Sequence, residues 1–75
     1  MQIKKLTLED LERRVVIVGL LSLFAKKFSL NIYEVNAAIR IAISTYEGGK
    51  SAATAYNVGK KTVIMISKNK SQTIH

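Results

Sequence analysis

The chain contains no cysteine and no proline, and its one histidine is the last residue, His75. Without cysteine there are no disulfides and no thiolate metal ligands. A single terminal histidine gives no basis for a protein-built metal site or for catalysis centred on an imidazole. The absence of proline suits a mostly helical chain. We therefore expect one small helical domain of 75 residues, with no metal and no cofactor.

Long hydrophobic runs are also absent. The most apolar stretch, residues 15–25, has eleven residues, whereas a helix needs roughly 20 to cross a bilayer core. A helix made from this stretch is apolar on nearly every side and must be covered on several of them. Because so short a chain can cover only part of it, the stretch predicts a homodimer. The residues expected to form that contact are Val15, Val18, Leu21 and Phe24.

Acidic side chains are few. The chain has five Asp and Glu residues and 12 Lys and Arg residues, which gives a formal charge of +7. Residues 1–34 hold six basic and four acidic side chains, and residues 35–75 hold six basic and one acidic. Such an imbalance favours a polyanionic partner, with nucleic acid first and an anionic membrane second. A basic surface that serves only solubility is the alternative.

Two helix starts are marked by the same device. Thr7 is followed three residues later by Asp10, and Asn31 is followed three residues later by Glu34. In this arrangement, the capping box, each side chain bonds the backbone amide of the other residue. The chain therefore predicts helices that begin just after Thr7 and just after Asn31.

The sequence predicts an all-α fold with four helices in one domain, residues 1–75. The pair Gly48 and Gly49 is expected to end the second helix, since glycine is the usual helix stop. The predicted helices span residues 7–28, 32–46, 51–56 and 60–68.

Residues 51–66 have the apolar spacing of two short helices joined by a turn. Ala53 is small enough for a close helix crossing, and Tyr56 follows on the same helical face. Asn57 tolerates the left-handed backbone that a tight turn requires. Val58 then fills the turn, and apolar residues recur three apart on the following helix. These last residues are Val63 and Ile66.

This pattern resembles the helix-turn-helix superfamily over residues 34–68, within a helix-turn-helix region of residues 31–68. Within that superfamily it is most similar to pipsqueak and resolvase-type modules, in which a basic–Thr–Val entry leads into the recognition helix. The resemblance implies binding of double-stranded DNA in the major groove and a dimeric transcriptional regulator or a phage or plasmid accessory factor. The residues it assigns to DNA contact are Lys50, Ser51, Gly59, Lys60, Lys61, Thr62, Met65 and Lys68.

Two observations stand against a simple match. Ile64 and Met65 occupy positions that recognition helices usually fill with polar side chains; such residues can touch thymine methyls, but they are more often core or interface. The same spacing also occurs earlier, in residues 21–39, with a recognition helix that starts at Ile32 and Tyr33. That register would point Glu34 at phosphate, so electrostatics favours the later one.

Other function classes fit less well. Gly49, Lys50 and Ser51 resemble the end of a phosphate-binding loop, but Ser44 stands where that loop needs its first glycine. We therefore expect no enzyme. The alternatives are a membrane-active helical peptide, such as a leaderless bacteriocin, and a protein–protein interaction module. Residues 1–6 are too short for a secretory signal, which predicts a cytoplasmic location.

Overall fold

The computed structural model describes residues 7–73, with side chains described for residues 7–70. Three helices account for nearly all of this range: α1 (Leu8–Lys26), α2 (Ile32–Glu47) and α3 (Ala52–Thr73). No strand occurs within residues 7–73, so the all-α prediction is confirmed. The prediction of four helices is wrong, because the two expected C-terminal helices are one.

Both predicted capping boxes are present. The Thr7 hydroxyl accepts from the Asp10 amide at 3.1 Å, and the Thr7 amide donates to the Asp10 carboxylate at 3.3 Å. At the second start, the Asn31 side-chain oxygen accepts from the Glu34 amide at 2.9 Å, and the Asn31 amide donates to the Glu34 carboxylate at 2.8 Å. These contacts satisfy amides that the first turn of a helix leaves unpaired. The two helix starts therefore follow from local sequence.

The helix ends are set by short turns. Helix α1 ends at Lys26, two residues before the predicted end, and Ser29 then adopts a left-handed backbone with φ of 54°. Helix α2 ends at the predicted glycine pair, where Gly49 has φ of 101°. That conformation is open to glycine at no steric cost. Both turns reverse the chain, so that α2 packs against α1 and α3.

The core is built from large side chains of α1 inserted against small residues of α2 and α3. Ile17 and Leu21 are fully buried and pack against Ala42 and Ala55. A second buried cluster joins the end of α1 to α2 and α3 and consists of Ala25, Ala38 and Val63. The partly buried side chains that pack around this second cluster are Phe24, Phe28, Leu30 and Val35.

The predicted turn at Asn57 does not exist. Residues 52–73 form one uninterrupted helix, and among residues 7–73 the only positive φ angles belong to Ser29 and Gly49. Ala53, expected at a close helix crossing, is exposed. The apolar spacing simply continues through the supposed turn at 3.6 residues per turn. Residues 52, 55, 56, 59, 63 and 66 all lie on the side of α3 that faces the other helices.

An uninterrupted α3 predicts a definite order of stability at position 57. Because Asn57 is exposed in the middle of a helix, Asn57→Ala should raise the free energy of unfolding by about 0.5 kcal/mol, and Asn57→Gly should lower it slightly. A left-handed turn at this position would reverse the order, since glycine tolerates that backbone and alanine does not. Urea unfolding monitored by circular dichroism at 222 nm distinguishes the two cases.

At Gly59, two residues after Asn57, we expect substitution by alanine to lower stability instead of raising it. A Cβ added there would lie 2.5 Å from Leu21 Cδ1 and 3.1 Å from Ala42 Cβ. Overpacking of a filled core typically costs about 1–3 kcal/mol, which exceeds the gain in helix propensity of about 1 kcal/mol. We expect Gly59→Ala to lower the free energy of unfolding by about 1 kcal/mol in the same urea experiment. A gain in stability like that of Asn57→Ala would show that this contact is not tight.

Candidate nucleic-acid interface

The residues assigned to DNA contact by sequence do not form one surface. Lys61, Met65 and Lys68 are exposed and share the outer face of α3, since they are spaced by four and three residues. Gly59 is buried against Leu21 and presents no backbone to a ligand. Thr62 is partly buried, and its hydroxyl donates to the Val58 carbonyl at 2.9 Å. The structure therefore keeps Lys61, Met65 and Lys68 together, buries Gly59, and engages the partly buried Thr62 hydroxyl within the helix.

Lys60 lies on a different side of α3 from Lys61. Its ammonium group is 4.8 Å from the centre of the Tyr56 ring and 5.9 Å from that of Phe24. The Lys27 ammonium group approaches the same Phe24 ring, at 6.0 Å. These cation–π contacts hold Lys60 between α1 and α3. Lys60 and Lys61, both predicted to contact DNA, therefore face different directions, because neighbouring residues on a helix point about 100° apart.

Lys50 and Ser51 lie at the start of α3, where the unpaired helix amides also lie. The Ser51 hydroxyl accepts from the Thr54 amide at 3.1 Å and so caps the helix. Gly59 and Lys60 are in the middle of α3, where backbone amides bond within the helix. Lys50 and Ser51 instead line a cleft of about 900 Å³ between the ends of the three helices.

The charges in this cleft are largely matched by each other. The Arg14 guanidinium contacts the Glu47 carboxylate at 2.7 Å, and the Tyr46 hydroxyl donates to Asp10 at 2.7 Å. A hydrogen bond with Tyr46 raises the pKa of the exposed Arg13. Polar contacts therefore tie the helix ends together in this cleft, and the exposed Lys50 at its edge forms no ion pair within the described part of the chain.

The outer face of α2 carries side chains that the sequence reading set aside. Tyr33, Asn36, Ala37 and Arg40 are exposed and follow one another at spacings of three, one and three residues. Tyr33 is 82% exposed. Arg40 makes no ion pair with any residue in the described part of the chain. The buried Ala38 marks the opposite side of α2, a signal that could have identified this outer face.

The earlier sequence register, residues 21–39, coincides with a real turn. Leu21 and Ala25 are buried before it, Ser29 supplies the left-handed backbone, and Val35 and Ala38 pack after it. A helix-turn-helix has a small residue, a left-handed turn residue and then apolar residues in this order. Residues 21–39 show that order in the structure, whereas residues 51–66 show it only in the sequence. We call residues 21–39, together with the rest of α2, the α1–turn–α2 unit.

Glu34 does not face outward from the α1–turn–α2 unit. It is half-buried, and its carboxylate accepts from the Asn31 amide at 2.8 Å and from Lys70 at 3.1 Å. The Asn31 amide, and then Lys70, hold the pKa of Glu34 below its usual range. The Glu34 charge is thus paired with Lys70 and the Asn31 amide, which weakens the electrostatic objection to the earlier register.

Of the four residues expected to form a dimer contact, two are exposed and two are buried or partly buried. Val15 and Val18 are exposed on α1. Leu21 is fully buried in the core, and Phe24 is partly buried against Phe28, with ring centres 5.2 Å apart. Leu21 therefore belongs to the core side of α1, which runs through Ile17 and Leu21, and the outer side of α1 lies opposite. The dimer contact of Phe24, which is partly buried, stays a prediction.

Within residues 7–73 no group of three or more acidic or histidine side chains is placed to hold a metal ion. No helix in this range combines the length and the apolar character needed to span a membrane.

The capping contact of Glu34 predicts a pH dependence of stability. Because the folded pKa of Glu34 is lowered, its contribution is complete above the usual glutamate pKa of 4.5 and is lost as pH falls through the lower, folded value. Glu34→Gln should therefore be less stable than wild type at pH 7, and the two should converge below pH 4.5. Urea unfolding at a series of pH values measures this; a constant difference across the range would contradict it.

Comparison of the chain with family models, with curated proteins and with solved structures finds no match. Its function is therefore inferred from the faces of its own three helices.

Proposed function

We propose that this chain binds double-stranded DNA through the α1–turn–α2 unit, with α2 in the major groove. The main support for the proposal is the turn at Ser29, which has a φ of 54°. This turn lies between the buried Ala25 of α1 and the buried Ala38 of α2. Helix-turn-helix modules place their second helix in the groove and support it with the first. Here α1 and α3 both pack on the inner side of α2 and leave its outer side free.

The outer face of α2 has the chemistry for reading base edges. An arginine such as Arg40 can bond guanine O6 and N7 together, and an asparagine such as Asn36 can bond adenine N6 and N7. Ala37, between them, is small enough to let the helix approach and can touch a thymine methyl. Tyr33, at the exposed start of the helix, is suited to a phosphate contact.

Positive charge lies in the turn before this face. Lys27 directly follows α1 in the turn that leads into α2, and it is exposed. The chain as a whole carries a formal charge of +7. Contacts of this kind hold the protein on the phosphate backbone and make its affinity fall with salt. The one carboxylate in the first turn of α2, that of Glu34, is bonded to Asn31 and Lys70.

A dimer would extend the proposed role. Two copies of α2, set about 34 Å apart by a two-fold axis, would read a palindromic site in successive major grooves. Such a protein would act as a transcriptional regulator or as a phage or plasmid accessory factor.

The test is fluorescence anisotropy with a labelled random-sequence duplex and a selected duplex, each at two salt concentrations. Arg40→Ala should weaken binding to the selected duplex about tenfold or more, as expected for a lost base contact. Lys61→Ala is the matched control, because it also removes one exposed positive charge from a helix surface. It should change affinity by less than about threefold.

Other outcomes of that experiment decide between surfaces. A large loss with Lys61→Ala and Lys68→Ala, and none with Arg40→Ala, would place DNA on the outer face of α3. Absence of salt-sensitive binding by the wild-type chain would refute DNA binding altogether. Circular dichroism of each variant excludes a loss of fold as the cause.

A further inference from the structure

We infer that the outer face of α1 binds α1 of a second copy of this chain in antiparallel orientation, with the two helices crossing at Gly19. The inference goes beyond DNA binding and does not rest on it. It specifies a geometry, a crossing point and a pair of charges, each of which can be tested on the full chain without DNA.

The outer face of α1 is apolar along most of the helix. Its large side chains are between 36% and 73% exposed, although they belong to residue types that folding normally buries. A contiguous surface of this kind on a small protein marks an interaction site. The exposed residues are Leu8, Leu11, Val15, Val16, Val18, Leu20 and Leu23.

The charges on this face are arranged symmetrically about Gly19. Glu12 lies seven residues before Gly19 and Lys26 lies seven residues after it, and all three are exposed. Seven residues are close to two helical turns, so the three positions share one side of α1, with the charges about 10 Å from Gly19 along the axis. Neither charged side chain forms an ion pair with another residue in the described part of the chain.

This charge pattern selects an antiparallel pairing with a second copy. When two α1 helices run in opposite directions and cross at Gly19, Glu12 of each lies opposite Lys26 of the other, and Val15 lies opposite Leu23. A parallel pairing would set Glu12 against Glu12 and Lys26 against Lys26. A two-fold interface requires a surface that complements itself. The face of α1 meets this requirement in one orientation only.

Gly19 supplies the close approach that such a crossing needs. A Cβ added at Gly19 would meet nothing within 4 Å in the monomer, so the fold of the single chain gives no reason for a glycine there. Glycine in the interior of a helix costs about 1 kcal/mol relative to alanine. At a helix–helix crossing the missing side chain lets two helices approach to about 8 Å. The glycine is thus explained by a contact outside the monomer.

A second copy also fits the size and charge of the face better than a membrane does. Helix α1, with 19 residues, is about 28 Å long. One helix of this length offers a limited contact area, so we expect a weak dimer with a dissociation constant in roughly the micromolar range. A membrane would have to accept the Glu12 carboxylate on the apolar face, two turns from Gly19, which is costly in a lipid environment.

Sedimentation equilibrium of the full chain without DNA tests the inference. The wild type should form a dimer, and Glu12→Lys or Lys26→Glu should each raise the dissociation constant about tenfold, since each converts two attractive contacts into repulsive ones. The combined variant Glu12→Lys/Lys26→Glu should recover wild-type affinity to within about threefold. Failure of the combined variant to recover, or single variants without effect, would overturn the antiparallel geometry.

Gly19→Ile provides an independent measurement. The site is open in the monomer, so the helical circular dichroism spectrum should be retained while the dissociation constant rises at least about tenfold. A wild-type chain that stays monomeric up to several hundred micromolar would refute the inference. If that monomer instead co-sediments with vesicles of mixed phosphatidylcholine and phosphatidylglycerol, the face binds a membrane.

Discussion

The close approach of α2 and α3, made possible by Ala42, Ala55 and Gly59, is the contact on which the rest of the structure depends. These positions are fully buried, and Leu21 of α1 fills the space beside them. Beside these small positions α1 contributes the fully buried Ile17 and Leu21, and large side chains of α2 and α3 pack around them at the edge of the core, among them Ile39, Tyr46 and Tyr56. The other large apolar residues of α1 lie mostly outside this core.

The parts of the fold that depend on neighbouring residues could be predicted from the sequence. Both capping boxes and the glycine stop after α2 are local devices, because the groups that bond lie within four residues of one another. The turn at Asn57 was predicted wrongly because asparagine is tolerated both in left-handed turns and in helices. Only the packing of Gly59 against Leu21 decides for the helix. The turn at Ser29 contains no glycine, so the sequence gives no clear signal for its left-handed backbone.

The candidate site could be predicted less well, because it depends on which side of each helix is covered. Lys60 and Lys61 are adjacent in sequence, but one packs against aromatic rings and the other faces outward. From the sequence alone, Glu34 is expected to repel DNA phosphate. Its contact with Lys70, 36 residues away, is visible only in the structure. Once the three helices are placed, the outer surfaces differ: α1 is largely apolar, α2 carries Arg40 beside both polar and apolar exposed side chains, Ile32 and Ile41 among the latter, and α3 is basic with no acidic residue. In this account α1 would join two copies and α2 would contact DNA.

A titration of the ¹⁵N-labelled chain with a short DNA duplex, followed by ¹H–¹⁵N correlation spectra, tests this account most directly. We expect the amide signals of Tyr33, Asn36 and Arg40, and those of the turn around Ser29, to shift with added duplex, while those around Lys61 and Lys68 stay in place. Shifts that cluster on the outer face of α3, or spectra that do not change with a saturating amount of duplex at low salt, would contradict it.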